Sequence, residues 1–401
     1  MDAAHHDPVV PVLLGLSIVL IAAKLGAIIA DRLKQPEVLG ELLAGIIVGN
    51  LILFNFDAFE FIKHDHEIAI FAELGVIILL FDVGLESNVK EMLEVGIKSF
   101  LVAIVGVVTP FLIGYYITDL IIPGLEFINR LFMGAILTAT SVGITARVFK
   151  DLKFMKKEEA RIVLGAAVID DILGLIILAI VTGIAQTGQV EMGSIMGISF
   201  KAIAFVVLAV VLGVMLAHRT IKLISIFKIP GMMLTTALVL CFLGAYLANQ
   251  AGLATIVGAF AIGLVLEEVH FKSFLAEYSI HDYIKPISFL LVPIFFVMTG
   301  MQVDVSVFTK PSTVIAALAI TAVAILGKLI CGWAFTSSSP INRMIIGMGM
   351  VPRGEVGLIF ATVGKSIGVV NDELYAITVI MVILTTLIPP PILNALIKNQ
   401  K

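Results

Sequence analysis

Charge is scarce in this chain. Asp, Glu, Lys and Arg make up 14% of the 401 residues while 60% are hydrophobic, and the mean hydropathy is +1.11. That leaves too little polar surface to coat a soluble globule, whereas a lipid bilayer demands none. Cysteine is scarce too. Cys241 and Cys331 both fall inside apolar runs without a partner at metal-binding spacing, so they read as small core residues rather than a disulfide or zinc framework. Met1–Val10 lacks the basic start of a cleavable signal, so the first apolar run is expected to stay as an anchor. A net charge of −4 is modest for this size and argues against nucleic acid as a partner. An all-α integral membrane protein remains, with the lipid bilayer as its first partner.

Runs of membrane-crossing length, roughly 17–25 residues, predict thirteen transmembrane helices. They lie near 11–30, 37–54, 67–86, 97–118, 130–149, 159–186, 199–217, 231–249, 252–267, 285–303, 312–335, 343–364 and 370–397. Eighteen of the 26 basic residues fall in alternate loops that start with Asp31–Pro36; the opposite loops hold only Lys63, Arg130, Lys201, Lys310 and Lys365. The positive-inside rule then places the N-terminus outside and the C-terminus in the cytoplasm, as for a multi-pass protein of the cytoplasmic membrane.

Laid on itself with a shift near 216, the chain repeats. Gly40-x4-Gly45 falls on Gly258-x4-Gly263, Leu80–Leu85 on Phe296–Met301, and Ser141-Val142-Gly143 on Glu355-Val356-Gly357. Spans 1–6 therefore pair with spans 8–13, and span 7 is a linker. Because the shift is seven spans, an odd number, the two six-helix repeats are inverted in the membrane. Inverted repeats are the architecture of alternating-access carriers, with the site near midplane where the halves meet.

Two adjacent aspartates, Asp170 and Asp171, sit in the middle of the apolar run Ile162–Ile184. A charge at that depth costs about 2.5–3.5 kcal/mol even on lenient insertion scales, so an acidic pair there marks an ion or proton path. Carboxylates this close resist ionising together. They point about 100° apart on a helix, so one can face a partner helix and the other a cavity. Lys328, alone in span 11 and too deep to snorkel, is the natural counter-charge. The alternative is a static buried ion pair.

Equivalent spans 5 and 12 carry poor helix formers at mid-depth, Thr138–Gly143 and Gly349–Gly357, the latter with Pro352, Arg353 and Glu355. Proline removes a backbone donor and clashes with the preceding turn, so a break is predicted in span 12. For span 5 alone a harmless kink is the simpler reading. Broken helices in a membrane free backbone groups that only protein or a water-filled cavity can satisfy, which makes a pair of them a marker for an ion site.

Blander readings suit other charges. Glu41 reads as a helix N-terminal carboxylate, and Lys24 and Asp31 as helix-end charges. Glu73, Asp82 and Glu86 read as an acidic funnel or as solvated helix-end groups, and His64 and His66 as solvated loop residues.

The stretch Ala139–Thr145, the Val168–Gly174 run around Asp170-Asp171, Gly327-Lys328 and Val351–Gly357 together resemble the cation:proton antiporter superfamily, with the nearest look to its second, NapA-like branch of Na⁺/H⁺ antiporters. The resemblance spans essentially the whole chain. It implies a secondary transporter, not an enzyme, without cofactors, whose cargo is Na⁺ (or Li⁺) and H⁺. It implies Asp171 as the main cation carboxylate, Asp170 as the group that trades a salt bridge to Lys328, and Thr140 and Ser141 at the crossing of two broken helices. Arg353 and Glu355 match the charged break in span 12. Paired aspartates go with electrogenic exchange in the family. It further implies a homodimer with scaffold helices in 1–96 and 223–306, moving core helices in 97–190 and 307–401, and linker helix 7 in 191–222. K⁺/H⁺ exchange on the same scaffold is the alternative; no nucleotide-binding domain follows Lys401, which disfavours the ligand-gated K⁺-efflux type. A cation channel is less expected, for want of a repeated filter or continuous polar pore.

Overall fold

In the computed structural model the described residues are 9–87, 89–187, 231–266, 280–303, 310–336 and 340–399, with isolated positions between them. All regular structure among them is helical. In chain order the main helices are α1 (Val9–Arg32), α2 (Glu37–Gly49), α3 (His66–Leu85), α4 (Gly96–Ile121), α5 (Phe127–Thr138), α6 (Val142–Asp151) and α7 (Glu158–Thr187). They continue with α8 (Met232–Gln250), α9 (Thr255–Val265), α10 (Ile280–Met301), α11 (Pro311–Leu329), α12 (Arg343–Gly349), α13 (Glu355–Ser366), α14 (Asp372–Leu387) and α15 (Pro389–Lys398). Nine described segments are long and apolar enough to cross a membrane, with α5 and α6 counted as one crossing and α14 and α15 as another. The span expected at 199–217 lies largely outside the described residues.

Local chemistry sets the helix ends. Asp65 and Asn371 accept hydrogen bonds from the amides of Ile68 and Leu374 at 2.9 Å, capping α3 and α14. Pro36 and Pro311 stand where a helix start needs no amide donor.

Two groups of helices pack internally. α3 lies against α9 and α10, α2 against α1 and α10, and α8 against α9. Separately, α4 packs on α5, α7 and α11, α11 on α14, and α13 on α5 and α14. Of the second group, α6 is the element that rests on α2 and α3 of the first.

In the first group the helices touch through glycine. A Cβ on Gly26 would strike the Gly40 carbonyl and one on Gly40 the Gly26 carbonyl; Gly258 stands in the same relation to Gly244. A Cβ on Gly45 would lie 3.0 Å from the Gly300 Cα, and one on Gly263 3.0 Å from the Gly84 Cα. Without a hydrophobic force between helices in lipid, close backbone approach through small residues is what binds them.

Candidate ion site

The two predicted weak points are both true breaks, including the one in span 5 for which a kink was the simpler expectation. α5 ends at Thr138 and α6 begins at Val142; α12 ends at Gly349 and α13 begins at Glu355. The breaks lie against each other and satisfy one another's freed groups. Ser141 N–H donates to the Pro352 carbonyl at 2.8 Å, and the Thr145 hydroxyl to the Gly349 carbonyl at 2.7 Å. Gly354 leaves room for this crossing, since a Cβ there would come within 2.9 Å of Ser141 Oγ.

Arg353 is wholly buried at the crossing. Its guanidinium donates to the carbonyls of Leu137 at 2.5 Å, Val351 at 3.1 Å and Ala324 at 3.3 Å, so a fixed positive charge stands where helix carbonyls would otherwise be orphaned. Thr386 donates to the Arg353 carbonyl. The side chain of Glu355, the other charged residue read at this break, lies outside what the structure describes.

Asp170 and Lys328 meet beside the breaks. Lys328 Nζ lies 3.1 Å from Asp170 Oδ1, with side-chain exposures of 0% and 2%, so neither charge has water to compensate it. Thr140, from the first break, hydrogen-bonds Asp170 and lies 3.4 Å from the Met350 carbonyl. A Cβ on Gly106 of α4 would sit 3.7 Å from the Lys328 ammonium, so the glycine makes space for it. Asp171 is on the same helix, half-buried rather than buried. The structure thus brings Asp170, Lys328, Thr140, Ser141 and Arg353 into one neighbourhood from four stretches of sequence. A crevice borders the second break, lined by Leu42, Ile46 and Thr299 of α2 and α10 on one wall and by Gly354 of the break with Leu358 and Val379 of α13 and α14 on the other.

Several blander expectations need correction. Asp82 is wholly buried, not solvated, and is paired with Lys150 and His281. Glu41 is buried as well, 3.5 Å from Arg147, which also reaches Glu37 at 3.3 Å and Asp151 at 2.8 Å. Apart from the Arg147–Asp151 pair one turn apart on α6, contacts 68 to 199 residues apart in the chain make these networks, and no local pattern announces those. His64, as expected, is exposed.

What can such a site do? It offers carboxylate, hydroxyl and backbone oxygens to a hard cation, in a place where charge is tolerated only when balanced. The family described as "Sodium/hydrogen exchanger, transmembrane" matches residues 18–398. The chain belongs to that family. Within it, the chain is similar to the high-affinity Na⁺/H⁺ antiporter NhaS3 of Synechocystis sp., 38% identical over 424 residues covering 97% of this chain and 90% of the relative. It is 34% identical to the Na⁺/H⁺-K⁺ antiporter GerN of Bacillus cereus over 383 residues, 94% of each chain. The solved sodium proton antiporter MjNhaP1 of Methanocaldococcus jannaschii shares the fold, with a TM-score of 0.66 at 20% identity over 98% of both chains.

Proposed function

We propose that this sodium/hydrogen exchanger family member is a secondary transporter that exchanges Na⁺ or Li⁺ for H⁺ across the cytoplasmic membrane by alternating access. The observation that carries the reading is the buried Asp170–Lys328 pair, set beside Asp171 where two helix breaks cross. Protons hold the two aspartates neutral until a cation arrives at Asp171. The protons then leave to the open side, and Lys328 pairs again with Asp170 as the site empties. Competition for the same oxygens couples the fluxes. An unbalanced charge is too costly to carry through the hydrophobic barrier, so only the loaded or protonated bundle crosses. Because Asp170 and Asp171 both change charge, the exchange is electrogenic.

The packing supports an elevator. α1, α2, α3, α8, α9 and α10 act as scaffold, and α4 to α7 with α11 to α15 act as the sliding core. The glycine contacts support thirteen spans in two inverted repeats: Gly26 and Gly40 shift by 218 onto Gly244 and Gly258, while the Gly45–Gly300 contact exchanges its partners to become Gly263–Gly84. We place the homodimer contact on the scaffold, where Leu13, Leu14, Ile21, Val239, Phe242 and Leu243 are exposed. The loop basic residues support an external N-terminus and a cytoplasmic C-terminus.

K⁺ is the second reading, favoured by the resemblance to a Na⁺/H⁺-K⁺ antiporter. Proton efflux from proteoliposomes on adding Na⁺, Li⁺ or K⁺ separates the two. Sodium is expected to drive it in the natural protein and to fail after Asp171→Asn. Exchange at the normal rate in that variant overturns the site, and efflux driven by K⁺ alone overturns the choice of cation.

A further inference from the structure

A second charged cluster lies at the end of α3, outside the machinery described above. Asp82 and Glu86 stand one helical turn apart, and His281, in the first turn of α10, closes on both. His281 Nδ1 is 2.8 Å from Asp82 Oδ1 and 3.7 Å from Glu86 Oε1, and one donor atom of each residue falls within 4.8 Å of the others. Ligands of a tetrahedral zinc ion at bond lengths near 2.0–2.2 Å are separated by roughly 3.3 Å, within the spread of these separations. The cluster already seats a cation. Lys150 of α6 places its ammonium against Asp82, and 3.6 Å from Glu86 Oε1. Asp82 is wholly buried at the base, while His281 and Glu86 are 28% and 27% exposed, leaving a way in.

We propose that Asp82, Glu86 and His281 form a binding site for a divalent transition-metal cation, which enters by displacing the Lys150 ammonium. One imidazole nitrogen with two carboxylate oxygens suits zinc-like ions, whereas calcium and magnesium want more oxygen ligands or retained water. The metal takes the neutral imidazole, so a protonated His281 must give up its proton first. All three ligands come from α3 and α10, and the displaced lysine from α6. Binding therefore unties α6 from α3. This last step rests on the proposed elevator, in which α6 belongs to the moving part; the site itself does not.

Calorimetric titration of the full chain in detergent with Zn²⁺ tests the site, with Mg²⁺ as control. The expected result is one saturable Zn²⁺ per chain that Mg²⁺ does not occupy. Glu86→Gln and His281→Ala should each weaken it by roughly tenfold or more, at least the loss that outer-shell changes cause at metal sites. Lys150→Ala should tighten it, since the competing ammonium is gone. Thermal melting without zinc checks that the variants are folded, and the half-exposed positions are chosen because loss of buried Asp82 endangers folding. Zinc binding unchanged by Glu86→Gln and His281→Ala, as at His64 and His66, overturns the site, as does no saturable binding or binding that weakens in Lys150→Ala. Untying is read separately, as a Zn²⁺ dependence of sodium-driven proton flux that Glu86→Gln abolishes; flux insensitive to zinc while binding persists overturns that step alone.

Discussion

At the scale of the residue, the site is a problem of charge without water. Lys328 and Asp170 are both buried, so each depends on the other, and removing one partner of a buried pair commonly costs about 3–5 kcal/mol unless the orphan neutralises itself. Asp170 has that escape, because it can hold a proton. Lys328→Ala is therefore expected to leave exchange running while the current it carries disappears. Recording on a solid-supported membrane checks this, and a sodium-driven current of normal size would speak against the role given to Lys328. These residues were legible from sequence because a charge in an apolar run is expensive enough to demand a reason. Asp82 and Glu41 were not. Each lies near a helix end, where solvation is the cheaper explanation, and only partners such as Lys150 and Arg147, from another part of the chain, bury them.

At the scale of the element, proline and glycine write one break openly and leave the other unwritten. Pro352 cannot donate within a helix, so the gap between α12 and α13 was readable. Thr138–Ser141 contains nothing that forbids a helix; the gap there exists because the Pro352 and Gly349 carbonyls of the other break accept from Ser141 and Thr145. The glycine contacts give a sharper element-level test. Gly40→Ala and Gly258→Ala press a methyl on facing backbone, and each is expected to destabilise the fold by about 1–3 kcal/mol, the usual penalty of overpacking. Gly96→Ala, where a Cβ meets nothing within 4 Å, should be neutral or slightly stabilising. Thermal unfolding in detergent compares the three. Equal melting points would mean that the two close approaches do not hold the scaffold together.

At the scale of the whole molecule, hydropathy found the apolar segments and the glycine pattern pointed to the proposed repeat, but neither says which helices would travel together in the proposed elevator. The family resemblance implied that division, and the packing supports it, with α6 the element of the proposed core that leans on α2 and α3. If the core slides, joining the walls of the crevice must stop it. Thr299→Cys with Leu358→Cys, bridged by a flexible bismaleimide across that crevice, is expected to arrest exchange, while either single variant treated alike keeps its flux. Bridged protein that exchanges at full rate would rule out the sliding core. The account finally depends on protons and sodium contending for the same carboxylates. Sodium titration by calorimetry at a series of pH values tests this most directly. Acid fills Asp170 and Asp171 with protons, so apparent sodium affinity should fall with pH, by about tenfold per unit for each proton displaced; an affinity that does not change with pH would contradict it.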